Sequence, residues 1–289
     1  MKKKLTVALI IVILVALIVA IVMIVKHNKK MSMDDYHNDT FNFILDESTY
    51  KITLRDIGAT SVQLPTTDER HGLPVTNIAG FKNAALQELV IPEGFTTIEN
   101  YAFSGCKDLS NIKFPSTMAE IRPYAFMNCT SLTEITIPDA VAVLYKGMFK
   151  GCTNLQIVNF PAQLTDMESE IFYGCTSIKN ITIPQGVTTI KTNTFNGCTD
   201  LTTITLPDTL TQIANYAFVD CTSLYTVAIP ASVTDLSEYA FQGCTNLQII
   251  TFGGTVEQWN ALKLDEDWGT LTGIPADRVI CSDGSVEIY

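Results

Sequence analysis

Apolar side chains return along most of this chain at one constant interval, so that the same positions recur coil after coil. Cysteine occupies Cys106, Cys129, Cys152, Cys175, Cys198, Cys221 and Cys244; phenylalanine occupies Phe103, Phe126, Phe149, Phe172, Phe195, Phe218 and Phe241; proline occupies Pro92, Pro115, Pro138, Pro161, Pro184, Pro207 and Pro230. Three residue types held in one register define a repeat before any element is assigned. Within a unit the order is L-x-x-I-x-I-P, an apolar pair three apart, then A-F-x-G-C, as in Leu132, Ile135, Ile137, Pro138, Val141, Leu144, Phe149 and Cys152. The alternation at Ile135 and Ile137 predicts a short strand with one buried face, and the proline ends it because it has no N–H for the ladder. A second short extended piece, such as residues 187–190, follows the turn. Glycine precedes the cysteine at Gly105, Gly151, Gly174, Gly197 and Gly243, and Asn128 and Asp220 replace it elsewhere. These types tolerate positive φ, so the position reads as a left-handed corner. One unit cannot bury its own apolar side, so units must stack, like over like.

The pattern L-x-x-I-x-I-P … V-x-x-I … A-F-x-G-C-x-x-L resembles the BspA-type leucine-rich repeats of bacterial and protozoan surface proteins. The likeness covers residues 86–252 closely. Upstream, Val62, Leu64, Pro65 and residues 75–78 echo the unit, residues 68–72 look like an inserted loop, and Gly80 stands where phenylalanine is expected. A strand pair at residues 41–45 and 50–54, and the tail G-G-T-V-E-Q-W-N-A-L … V-I-C-S-D-G, are similar to the end pieces of this family. In the tail, residues 256–262 read as a short helix over the last coil, and Asp283 with Gly284 as a tight turn between strands at 279–281 and 286–289. Both tryptophans, Trp259 and Trp268, fall in this cap. The predicted fold is therefore a repeat solenoid, a leucine-rich-repeat-like stack of 23-residue coils made mainly of short parallel β-strands with turns or short helical segments, preceded by one transmembrane helix. The resemblance implies adhesion or surface recognition, and it brings no catalytic residues.

That helix is read at residues 5–25, an unbroken run that is apolar apart from Thr6 and flanked by Lys2, Lys3, Lys4 and by Lys26, Lys29, Lys30. At about 1.5 Å per residue it spans roughly the 30 Å of a bilayer core. Its length and the lack of an A-x-A site favour an uncleaved signal anchor over a cleaved secretory peptide. The lysine flanks tie, and the terminal amine tips the N-terminus inside. The expected layout is a cytoplasmic stub at 1–4, the anchor at 5–25, a linker at 26–40, an N-terminal cap with an irregular first coil at 41–85, repeats at 86–253 and a C-terminal cap at 254–289. This places a single-pass protein in the cell membrane with its repeats outside. The alternative is the opposite insertion, with the stack serving as a cytosolic assembly scaffold.

From Met31 onward 13 basic residues face 30 acidic ones, which excludes a phosphate-neutralising surface for nucleic acid. The laddered cysteines do not suit disulfides, since stacked Cβ atoms run parallel, nor zinc, since no pair is closely spaced. They read as buried small hydrophobes, with Cys281, outside the register, as the candidate accessible thiol. Asp166, Glu168 and Glu170 alternate as a calcium site would allow, but calcium takes 6–8 oxygens, and a solvated acidic edge is the simpler reading. His27, His37 and His71 all lie outside the regular stack, so a serine or cysteine triad lacks a base. The C-terminal cap offers no acid and base pair either. Neither an enzyme, a cofactor nor a metal is expected.

The expected binding surface is the outward column between buried strand residues: Glu88, Asn111, Glu134, Ile157, Asn180, Thr203, Thr226 and Ile249. Beside it run Val90, Lys113, Thr136, Asn159, Thr182, Thr205, Ala228 and Thr251. β-propensity accounts for the threonines without any ligand. Ile157 and Ile249, with Tyr145, Tyr173 and Tyr225, hint at a contact patch. Asn38, Asn128 and Asn180 are N-x-S/T sites that would carry glycans in an exporting eukaryote. The function expected from the sequence is protein binding or adhesion at the cell surface, toward proteins or glycoproteins of host cells, neighbouring cells or matrix.

Overall fold

The computed structural model describes residues 36–46, 49–264 and 274–288. The expected membrane anchor at 5–25, His27, most of the linker and Trp268 lie outside the described residues. Among the described residues no helix is long and apolar enough to cross a membrane.

The chain winds as a β-solenoid of about nine turns, because irregular turns at both ends extend the seven regular units. It opens with β1 (Tyr36–His37), β2 (Phe41–Asp46) and β3 (Thr49–Leu54), a β-meander whose last strand runs parallel to β4 (Val75–Gly80). Each following turn contributes two strands. These are β5 (Glu88–Val90) and β6 (Thr97–Ile98), β7 (Asn111–Lys113) and β8 (Glu120–Ile121), β9 (Glu134–Thr136) and β10 (Val143–Leu144), β11 (Ile157–Asn159) and β12 (Asp166–Met167). Next come β13 (Asn180–Thr182) and β14 (Thr189–Ile190), β15 (Thr203–Thr205) and β16 (Gln212–Ile213), β17 (Thr226–Ile229) and β18 (Asp235–Leu236). The stack closes with β19 (Ile249–Phe252), α1 (Val256–Asn260), β20 (Lys263–Leu264), β21 (Arg278–Ile280) and β22 (Ser285–Glu287).

Odd-numbered strands from β5 to β19 form the first side of the solenoid and even-numbered strands from β4 to β18 the second. Paired strands in the regular turns are parallel, with partners one full coil apart, as in Asn180 opposite Thr203 and Ile190 opposite Ile213. The third side contains no regular element. Its turns, built from the A-F-x-G-C segments, are joined by amide bonds from each phenylalanine to the next turn, from Phe81 N–H to Ala102 O through Phe218 N–H to Ala240 O, at 2.7–3.0 Å. The short helical segments expected as an option within the repeats are absent from the described coils, and the one five-residue helix, α1, caps the end.

The core is a set of columns. Rings from Phe103 to Phe241 stack at 5.3–5.9 Å and within 17° of parallel. Phe81 and Phe41 continue the column at the N-terminal end, at 5.4 and 6.2 Å. The expected register of the first coil is thereby corrected: Phe81 fills the phenylalanine position, one residue past Gly80. Gly80 instead belongs to β4, where an added Cβ would sit 2.9 Å from the Thr53 methyl. At the far end Trp259 is buried edge-on against Phe252 at 5.3 Å. Asp283 and Gly284 lie in the hairpin loop as expected, while both flanking strands, β21 and β22, start one residue earlier than predicted.

The glycine corner is left-handed as predicted, from φ 76° at Gly105 to φ 73° at Gly243, with Asn128 at 59° and Asp220 at 56°. Each turn also has a second left-handed position that the sequence reading missed, at Tyr101, Tyr124, Gly147, Glu170, Asn193, Tyr216 and Tyr239. Bulky residues reach this region only with strain. Stacking of Tyr101 on Tyr124 at 4.9 Å and of Tyr216 on Tyr239 at 5.5 Å offsets it, and Gly147 leaves room for the Tyr124 ring, 2.3 Å from where a Cβ would be.

Candidate binding surface

The first side presents both outward columns. Glu88, Asn111, Glu134, Ile157, Asn180, Thr203 and Ile249 are exposed and Thr226 half-exposed; the neighbouring column from Val90 to Ala228 is exposed, with Thr251 half-buried. The strand pleat causes this, because every second side chain points away from the core. Along the columns, Asn159 Nδ2 donates to Glu134 Oε1 and Thr136 Oγ1, both at 3.0 Å, and Thr202 Oγ1 donates to Asn180 Oδ1 at 3.4 Å. The contact patch suggested by isoleucine and tyrosine positions is not formed. Ile157 and Ile249 lie on the first side with Tyr225 next to them in phase, but Tyr145 follows β10 on the second side and Tyr173 sits on the third, under Lys150 Nζ at 4.4 Å. Their positions within the repeat unit differ, which sends them to different sides.

This first side is not one continuous sheet. Its ladder breaks between β7 and β9, between β11 and β13, and between β15 and β17. The second side opens at the first two of these junctions, between β8 and β10 and between β12 and β14. The residue that ends each first-side strand follows the rhythm, since it alternates: Ile91, Phe114, Ile137, Phe160, Ile183, Leu206 and Ile229 before proline, and Phe252 before Gly253. The true period on this side is the double coil. Ile137 and Ile183 are buried and their N–H groups donate to Asn159 O and Thr205 O of the next turn, at 3.0 and 2.9 Å. Phe114 and Phe160 exceed that space, stay half-buried and lie edge-on to Phe126 and Phe172 at 6.0 and 6.1 Å. Among the described residues their N–H groups make no backbone bond to the next turn. Clefts of about 770 and 660 Å³ open at these two junctions. A third, of about 480 Å³, is lined mainly by the last turns and the C-terminal hairpin, from Ala228 to Ser282.

The chemistry weighed in the sequence resolves into structure. Each cysteine of the ladder is buried and donates its S–H to the phenylalanine carbonyl of the turn before, from Cys106 to Phe81 O at 2.9 Å through Cys244 to Phe218 O at 3.0 Å. Burial pushes the Cys106 thiol up to about 11 and the Cys152 thiol up to about 12, and drives Cys129, Cys175, Cys198 and Cys221 well above the ordinary thiol range. Cys281, expected to be accessible, is buried as well, because the C-terminal hairpin folds over the last turn. Asp166, Glu168 and Glu170 do not converge. Asp166 pairs with Lys191 at 2.8 Å, Glu168 accepts the Lys146 N–H at 2.8 Å, and Glu170 lies between Lys146 at 3.2 Å and Lys150 at 2.6 Å. Partial burial raises the Glu170 pKa, but the two lysines outweigh it and hold the carboxylate low. His71 is tied to Tyr50 Oη at 3.0 Å and to Asp68 at 3.2 Å, and His37 to Arg55, all in the N-terminal cap. Of the N-x-S/T asparagines, Asn128 and Asn180 are exposed, whereas Asn38 Oδ1 accepts the N–H groups of Thr40 and Phe41 in a turn.

A family model described as the BspA type leucine rich repeat region matches residues 77–198 and 165–263, in six copies. The chain belongs to the BspA-type leucine-rich repeat family. Among solved structures it is similar to the T. pallidum leucine rich repeat protein, 28% identical, over 66% of this chain and 91% of that one, with a TM-score of 0.59. It is also similar to a leucine rich cell surface protein from Faecalibacterium prausnitzii A2-165, 21% identical, over 82% of this chain and 99% of that one, with a TM-score of 0.41. No curated protein matches this BspA-type chain significantly.

Proposed function

We propose that this BspA-type protein is a surface-displayed, non-catalytic binding module that holds proteins or glycoproteins of neighbouring cells or matrix against the first side of its solenoid. The observation that carries this reading is the pair of outward columns, turned to solvent over eight consecutive turns on strands that pair in parallel blocks of two turns. Such a surface is rigid before a partner arrives, which lowers the ordering cost of binding. The apolar run at 5–25 supports a membrane tether, with the repeats carried outside. The test has two arms. Protease treatment of intact cells is expected to remove the repeats, and full protection would overturn outward display in favour of a cytosolic scaffold. Cells displaying the chain are expected to adhere to matrix or partner cells, and Thr203→Arg with Ile157→Arg is expected to abolish this while Lys107→Glu, away from the strands, leaves it intact. Equal adhesion by all variants would remove the first side from consideration.

A further inference from the structure

Two clefts on the first side, at Phe114 and Phe160, lie two turns apart. With strands roughly 4.8 Å apart, successive clefts are separated by about 10 Å along the solenoid. At each of them a half-buried phenylalanine edge, an unpaired N–H on Phe114 or Phe160, and the carbonyl of Thr136 or Thr182 that would have accepted it face one opening. Amide side chains stand at the rim, Asn159 and Asn180 at the second cleft. Lys113 and Lys179 line the two clefts, and neither has an ion pair among the described residues.

We propose that these clefts are successive subsites for a linear, uncharged, β-1,4-linked polysaccharide lying along the solenoid axis. The proposal rests on the reading of the first side as the binding surface and adds a second ligand class to the proteins and glycoproteins proposed there. The fit is threefold. A sugar hydroxyl both donates and accepts, so it satisfies the exposed carbonyl and N–H of one cleft together, while the C–H face of a pyranose packs on an aromatic side chain. The spacing matches the length of a β-1,4-linked disaccharide. An extended peptide repeats its side-chain direction every second residue, at about 6.6 Å, which is out of step with the clefts. Charge argues against a polyanion, since the chain carries a formal net charge of -11 and Glu134 and Asp139 line one cleft.

Calorimetric titration of the full chain with soluble β-1,4 oligomers of glucose, xylose and N-acetylglucosamine, two to eight units long, tests this. Affinity for one series is expected to rise in two-sugar steps, by about tenfold or more between dimer and hexamer, as linked subsites fill. Phe160→Ile installs the residue that closes the ladder at Ile137 and Ile183, so it keeps the fold, seals one cleft and is expected to lower hexamer affinity about tenfold. Phe114→Ile is expected to do the same at the other cleft. No binding of any series at millimolar concentration overturns the proposal, as does binding that both substitutions leave unchanged. In either case adhesion lost through Thr203→Arg with Ile157→Arg would leave the first side as a protein-binding surface, so the two readings fail separately.

Discussion

A phenylalanine in mid-column has a parallel ring above it and another below. Phe172 lies 5.9 Å from Phe149 and 5.5 Å from Phe195 and is fully buried, so Phe172→Ala leaves a void that neighbouring turns cannot fill without breaking their ladders. A loss of about 3–5 kcal/mol is expected from urea unfolding, and a neutral result there and at Phe195→Ala would contradict a stacked core. The glycine corner yields a sharper contrast. A Cβ on Gly151 would lie 2.1 Å from Asn128 Oδ1 of the turn before, whereas on Gly197 it would meet only Gly174 backbone at 3.6 Å or beyond. Both carry left-handed strain of about 1–2 kcal/mol when substituted by alanine. Gly151→Ala is therefore expected to cost clearly more than Gly197→Ala, and Asn128→Gly to remove the difference, a coupling that a double-mutant cycle reads directly. Because burial raises the folded thiols above their ordinary value of 9.0, the unfolded chain releases protons first as pH rises. That contribution to stability is complete below pH 9.0 and declines toward about 12, so the melting temperature is expected to fall across that window and to fall less in Cys152→Ala.

Among the elements, the cap helix α1 is short enough to depend on its ends. Thr255 Oγ1 accepts from Gln258 N–H while Gln258 Oε1 accepts from Thr255 N–H, and Asp283 Oδ1 takes the Val256 N–H from the hairpin loop at 2.8 Å. Thr255→Ala is expected to cost about 1 kcal/mol and to speed amide exchange at Trp259, and unchanged exchange would place the stability of α1 in Trp259 packing alone. The strands of the regular turns were legible because I-x-I before proline has a single interpretation on a pleated, half-buried surface. The third side was less so: Tyr101 and Tyr216 take a backbone conformation their residue type disfavours, and only the ring in the adjacent turn makes it tolerable. A single unit contains no sign of that neighbour. Phe81 was misplaced for a related reason, since its turn is one residue short and counting back by whole coils lands on Gly80.

At the scale of the whole molecule, the repeat, its caps and the outward columns could all be read from spacing, while the interruptions in the first side could not. Two of the three arise from Phe114 and Phe160 being larger than Ile137 and Ile183, a difference that binary patterning counts as no difference at all; the third falls at Leu206, which is no larger than isoleucine. The third side alone keeps an unbroken ladder across every regular junction, so the molecule has one continuous spine and two sides parted into blocks. Ending the chain after Gly253 removes Trp259 and the hairpin and leaves Phe252 and the last core column open to water. Light scattering is expected to show association of that truncated form, and a monomer of unchanged melting temperature would show the cap to be dispensable. The alternation before proline also bears on how such a protein can lengthen. Duplicating a single coil sets two isoleucine turns or two phenylalanine turns side by side and puts the rhythm of open and closed junctions out of step. Duplicating two adjacent coils together preserves it, so the heritable unit of growth is the pair, and descendants of this gene should differ in length by even numbers of turns.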